Sequence, residues 1–113
     1  MKIWALIVIL TALFCLNCGG PQNTTKKLKI GFAMDTLKEE RWVRDRDAFE
    51  AQCKKMDVDC IITVADNKAD KQANDVDNLL TQGIDALVIA PHDATQAASM
   101  VDKAKAKGVP VIS

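Results

Sequence analysis

Four short, mostly apolar runs separated by three stretches of helical periodicity constrain this chain more than any other feature. The runs are Leu28–Met34, Cys60–Ala65, Ala86–Ala90 and Val109–Ser113. Each reads as a strand buried on both faces, because apolar and β-branched residues follow one another instead of alternating with polar ones. Between the first two runs, Trp42, Phe49, Cys53 and Met56 are spaced by seven, four and three. That spacing predicts one face of a helix over Glu39–Met56. Ala69, Ala73, Val76 and Leu80 mark a second helix, stopped by Gly83 in the position of a C-cap. Ala94, Ala97, Ala98, Val101 and Ala104 mark a third, stopped by Gly108. The alternation predicts an α/β fold with flanking helices, right-handed crossovers and a four-stranded parallel sheet in the order 2-1-3-4.

Composition narrows the function. The 113 residues are 49% hydrophobic and 27% charged, which is the make-up of a globular domain. Fifteen basic residues balance fifteen acidic ones, so the surplus of positive charge that a nucleic-acid binder needs is missing. No Gly-x-Gly-x-x-Gly turn, phosphate loop or Gly-x-Ser-x-Gly elbow is present, and no enzyme or cofactor is predicted. With one His and four Cys in the chain, no metal site is predicted either.

The N-terminus is read separately from the fold. Lys2 precedes Ile3–Leu16, an uncharged run of fourteen residues, and the next charge is Lys26. A basic start, a short apolar core and a small polar stretch form the pattern of a secretory signal peptide, here residues 1–18. The run is short for a transmembrane helix, leaving a signal-anchor as the alternative. Asn17-Cys18-Gly19 resembles a loose lipoprotein signal, making Cys18 a candidate for lipid attachment, against plain cleavage or retention. Residues 19–27 read as a tether and 28–113 as the folded part. Export to the periplasm or cell envelope follows, with anchoring through Cys18 if it is lipidated. That compartment permits a disulfide between Cys53 and Cys60, but both face the predicted core, and two buried thiols are expected. The chain ends in its fourth strand with no covering helix, and it reads as truncated.

In an open α/β sheet, ligands bind outside the carboxyl ends of the strands. The loops there carry Asp35 to Trp42 after the first strand, Asp66 and Asn67 after the second, and His92 and Asp93 after the third. Carboxylates, guanidinium and imidazole pair with sugar hydroxyls, and an indole packs on the C–H face of a ring. The plain alternative is that Asp35 and Asp93 cap helices and that Trp42 is core. The neighbours His92 and Asp93 are not read as an acid/base pair, because adjacent side chains rarely face each other.

Lys29-Ile30-Gly31-Phe32-Ala33-Met34-Asp35, followed by Glu40-Arg41-Trp42 and Asp45-Arg46-Asp47, resembles the start of periplasmic sugar-binding proteins of the D-xylose-binding type. Gln72, Val76–Leu80 and Gly83–Ile89 continue the resemblance without a gap, and Gly108–Ser113 matches the family's fourth strand. The Gly83–Ile89 run is shared more widely, including with effector domains of lac-repressor-like regulators. The Arg41-Trp42 pair is more specific and points to pentose or aldose binders. The resemblance implies a type I periplasmic binding fold of two lobes closing on a monosaccharide, which is then passed to the membrane permease of an ABC importer. It implies that Arg41 hydrogen-bonds the sugar, that Trp42 stacks near it, and that Lys38 is a basic contact. His92-Asp93 stands where members of that family often carry an aromatic or polar residue and Asn, so this position departs from the family pattern. The hinge and second lobe are missing, so the chain reads as the front part of the first lobe. Against a transport component stands an exported lipoprotein remnant without sugar affinity. A receiver-like or flavodoxin-like enzyme is disfavoured, because only Asp35 of the required acidic cluster is present.

Overall fold

The computed structural model describes residues 25–113. The predicted signal peptide, Cys15, Cys18 and most of the predicted tether lie outside the described residues. Strands β1 (Lys29–Met34), β2 (Asp59–Val64), β3 (Ala86–Ala90) and β4 (Val111–Ile112) alternate with helices α1 (Glu40–Met56), α2 (Ala69–Thr81) and α3 (Ala94–Ala106). The sheet order is β2-β1-β3-β4 and every pairing is parallel, as the alternation predicts.

Register explains how the layers pack. Gly31 pairs with Ile61 on one side and Leu87 on the other, and Leu87 pairs with Val111. These positions share one face of the sheet, because side chains alternate along a strand. Against that face sit Val76, Leu79 and Leu80 of α2, Ile84, and Met100 and Ala104 of α3, forming the main core with Ala33, Leu87 and Ile89. Gly31 is required by close approach: a Cβ there would stand 3.0 Å from Ile84 Cδ1 and 3.2 Å from Leu79 Cδ1. On the other face, Phe32 meets Phe49 of α1, with ring centroids 4.9 Å apart and a tilt of 58°.

Several expectations are corrected in detail. Met56 belongs to the predicted apolar face of α1 but is 60% exposed. It is the last helical residue, and Asp57 turns the chain at once in a left-handed conformation, with φ 53°. In α3, Ala94 and Ala98 are exposed, while Met100, absent from the predicted stripe, is buried. Met100 lies three residues after Ala97 and four before Ala104, so the same periodicity rotates the stripe toward it. Strand β4 is shorter than Val109–Ser113, because the Val109 N–H closes the end of α3 on the Ala104 carbonyl at 2.9 Å.

Cys53 and Cys60 are a disulfide, not the two buried thiols expected from their core-facing positions. Their Cα atoms are 6.2 Å apart. Only Asp57 and Val58 connect α1 to β2, so the last turns of the helix fold back along the start of the strand it packs on. Periodicity indicates that both residues face inward, but only packing fixes their separation. For a loop this short, chain entropy assigns the bridge about 2.5 kcal/mol. Reduction under native conditions is expected to lower Tm by about 10 °C; a scan with and without excess thiol, in which the two curves coincide, would remove the bridge from the list of stabilising elements.

Asp85 ties the starts of β1 and β3. Its Oδ2 accepts from the Lys29 N–H at 2.9 Å, its Oδ1 accepts from Lys26 Nζ at 3.0 Å, and its own N–H donates to the Lys29 carbonyl at 2.7 Å. The Lys29 amide, and then the Lys26 ammonium, hold its carboxyl below the usual carboxylate range. A depressed carboxylate pKa stabilises the fold above the ordinary value, and that contribution fades as pH falls below about 4. Asp85→Asn is therefore expected to lower Tm at neutral pH, with the gap to the parent narrowing as pH drops from about 4 to about 2. A gap independent of pH would show that the charge on Asp85 is irrelevant.

Candidate functional site

The loops leaving β1, β2 and β3 are bound to one another by backbone hydrogen bonds. The Asp35 N–H donates to the Ala90 carbonyl at 3.1 Å, Ala65 to Met34 at 2.9 Å, and Asn67 to Asp35 at 3.1 Å. Asp66 and Asn67 adopt positive φ values of 56° and 60°, a conformation that Asp and Asn accept more readily than most residues. Buried Thr36 accepts from the Lys38 N–H at 3.1 Å and fixes the turn into α1.

Connections from β1 and β3 leave toward opposite faces: α1 lies on the Phe32 side, and α2 and α3 on the Gly31 side. The crevice between the two strand ends is thus the topological switch point of the sheet, where open α/β folds place ligands. Asp35 and His92 flank it, with His92 Nδ1 2.9 Å from Asp35 Oδ1. A carboxylate only accepts, so Nδ1 donates, and the neutral ring then leaves Nε2 as an acceptor.

The other predicted residues fall into two groups. Asp93 is the N-cap of α3, its Oδ1 accepting from the Gln96 N–H at 2.8 Å. That bears out the capping reading for Asp93 and corrects it for Asp35, since the N-cap of α1 is Glu39 and no side chain caps that helix. Arg41 and Trp42 sit in the first turn of α1, with the guanidinium carbon 4.6 Å from the indole centroid. Arg41 Nε also lies 3.7 Å from Asp45 Oδ2, and its side chain is 73% exposed. Trp42 is half-buried, so it is neither plain core nor a free platform. Lys38 is exposed on the β1–α1 loop. Among the described residues, no hydrogen bond joins the Arg41–Trp42 pair to the Asp35–His92 pair.

One residue at this edge, named above only as part of the resemblance, was not among the predicted site residues. Gln72 of α2 is 1% exposed. Its Nε2 donates to the Ala90 carbonyl at 2.8 Å and the Ala33 carbonyl at 3.3 Å, while its Oε1 accepts from the His92 N–H at 2.9 Å. A polar residue four positions before Val76, on the buried stripe, is the signal that points to it. Away from the switch point, a depression of about 670 Å³ beside the starts of β1 and β2 is lined by Lys29, Cys53 and Cys60 among others. Among the described residues, no group of three or more His, Cys, Asp or Glu is placed to hold a metal.

A parallel sheet in this order, with polar loops gathered at its switch point, defines an α/β lobe of the open-sheet type. The periplasmic binding protein domain matches residues 30–113, and the chain belongs to that family. It is 30% identical over 108 residues to the D-xylose-binding periplasmic protein of Escherichia coli (strain K12), covering 96% of this chain and 32% of that protein. It is 37% identical over 95 residues to the ribose import binding protein of Bacillus subtilis (strain 168), covering 82% and 31%. A carbohydrate transporter solute-binding protein from Chloroflexus aurantiacus, solved with D-glucose, superposes with TM-score 0.72 at 33% identity, covering 78% of this chain and 26% of that one. The chain thus spans about a third or less of the length of these relatives.

Proposed function

We propose that this chain supplies the first-lobe wall of a monosaccharide-binding site, as the substrate-binding component of an ABC sugar importer. The ligand is a pentose or aldose of D-xylose-like form, and the protein is a binder, not an enzyme. The observation that carries the reading is the Asp35–His92 pair at the switch point between β1 and β3. In this reading Asp35, His92 and the free oxygen of Asp93 pair with ring hydroxyls. Arg41, with its guanidinium held over the Trp42 ring, presents the remaining N–H donors, and Lys38 adds a cation at the rim. The named ligands of the relatives, D-xylose, ribose and D-glucose, support the class of sugar without selecting one. Residues 1–18 serve as the export signal, with Cys18 as candidate lipid anchor and 19–27 as tether, placing the lobe in the periplasm or cell envelope beside a permease.

The test is an NMR titration of the chain with D-xylose, ribose, arabinose, glucose and galactose at millimolar concentrations. Shifts confined to residues 35–42, 66–67 and 92–93 are expected for at least one sugar. Shifts that are absent, or spread evenly over the surface, would leave the exported remnant without sugar affinity as the better account.

A further inference from the structure

We propose that Gln72 is the positioning residue of the switch point: it sets the backbone at His92 so that the imidazole reaches Asp35 and turns its Nε2 outward as a hydrogen-bond acceptor. The proposal rests on the reading of this edge as the sugar-facing one, but its geometry stands apart from any ligand.

Three hydrogen bonds carry it. The Gln72 amide donates to the carbonyls of Ala33 and Ala90, on two adjacent strands, and accepts from the N–H of His92 two residues beyond Ala90. It reaches these groups from α2, the element that crosses from β2 to β3, and it is buried. A buried amide whose donors and acceptor are all used is rigid, because each broken bond would strand a polar group away from water. The backbone of His92 is thus held from below while Asp35 holds its ring from the side at 2.9 Å. With both ends fixed, the neutral imidazole has one tautomer, and its free nitrogen accepts a hydrogen bond from a hydroxyl but cannot donate one. A leucine or methionine at position 72 fills the same space and leaves the Ala90–His92 turn without this tie.

His92 is the single histidine of the chain, so its ring nitrogens give one resolvable pair of ¹⁵N signals. In the parent chain, at a pH where the ring is neutral, the Nδ1-protonated tautomer is expected to dominate. A through-hydrogen-bond scalar coupling is expected between the His92 amide nitrogen and the Gln72 side-chain carbonyl carbon. In Gln72→Met, the tautomer ratio is expected to revert toward that of a free imidazole, with Nε2–H in excess, and the His92 amide to exchange at least about tenfold faster. Leu80→Ala, on the same helix, controls for general loosening and is expected to leave the tautomer unchanged. An unaltered tautomer and amide in Gln72→Met, or equal changes in Leu80→Ala, would overturn the proposal. Should Gln72→Met fail to fold, absence of the coupling in the parent chain would overturn it just as well. A sugar titration of the same sample separates the two claims: a tautomer that depends on Gln72, with no ligand shift at His92, leaves the positioning role intact and removes the sugar reading.

Discussion

Leu79→Ala is expected to cost about 3–4 kcal/mol of folding stability and to lower Tm by more than 10 °C. Leu79 has no exposed surface and sits at the centre of the core between α2 and the sheet. Its two methyl groups stand 3.2 and 3.4 Å from where a Cβ on Gly31 would lie. The space it vacates is bounded by strand backbone, which cannot collapse to fill it, so the cavity cost adds to the transfer cost. A domain of this size holds on the order of 4–13 kcal/mol in all, and the variant loses a large share of it. Gly31→Ala is expected to destabilise as well, by crowding Ile84 and Leu79. In the double variant, the new methyl group enters the space left by Leu79. The combined loss is therefore expected to fall short of the sum of the single losses by 0.5 kcal/mol or more, as for neighbours that share a cavity. Urea unfolding of the four proteins measures this. Strict additivity would show that Gly31 and Leu79 do not share that space.

Affinity is the second large effect. The chain is expected to bind its best sugar with a Kd of about 1 mM or weaker, about a thousandfold from micromolar. Four side chains at the edge, Asp35, Arg41, His92 and Asp93, each net about 1 kcal/mol when a hydrogen bond to water is exchanged for one to a sugar. About 4 kcal/mol corresponds to a Kd near 1 mM. Closed sites do better by burying most of the ligand. Here Arg41 is 73% exposed and His92 about a third exposed, so the edge is one wall open to water. Arg41→Ala is expected to weaken binding further by about tenfold, since charge-assisted bonds are the stronger ones. Calorimetry or NMR titration with the five sugars decides the point. A Kd near 1 μM for any of them would show that these 113 residues form a complete receptor by themselves.

The fold was legible because its signals are local and repeat. Each apolar run became a strand, and each stripe at intervals of three and four became a helix, with shifts of one or two residues at most boundaries. The ends moved where a cap, not a side-chain pattern, decides: Asp57 in the left-handed region closes α1, and Val109 bonds back to α3. The strand order followed from right-handed crossovers, which leave few arrangements for three βαβ units. The gathering of the candidate residues was legible by position. Asp35, His92 and Asp93 each follow a strand, and the sheet brings those ends together.

What periodicity cannot supply is distance between residues far apart in sequence. Sequence placed Cys53 and Cys60 on inward faces, but only the fold of α1 back onto β2 set them 6.2 Å apart and joined them. It placed His92 beside Asp93, and tertiary structure gave each a different partner: Asp35, fifty-seven residues away, for the ring, and the Gln96 N–H for the carboxylate. Gln72 entered the sequence reading only as part of the family resemblance, and the fold alone supplies the two strand ends whose carbonyls its buried amide bonds. Local pattern is written into a chain by sterics and hydrophobicity acting over one or two turns. The pairing of polar groups across the switch point is fixed only when the crossovers have stacked the strands, because that stacking alone decides which buried donors and acceptors must satisfy one another.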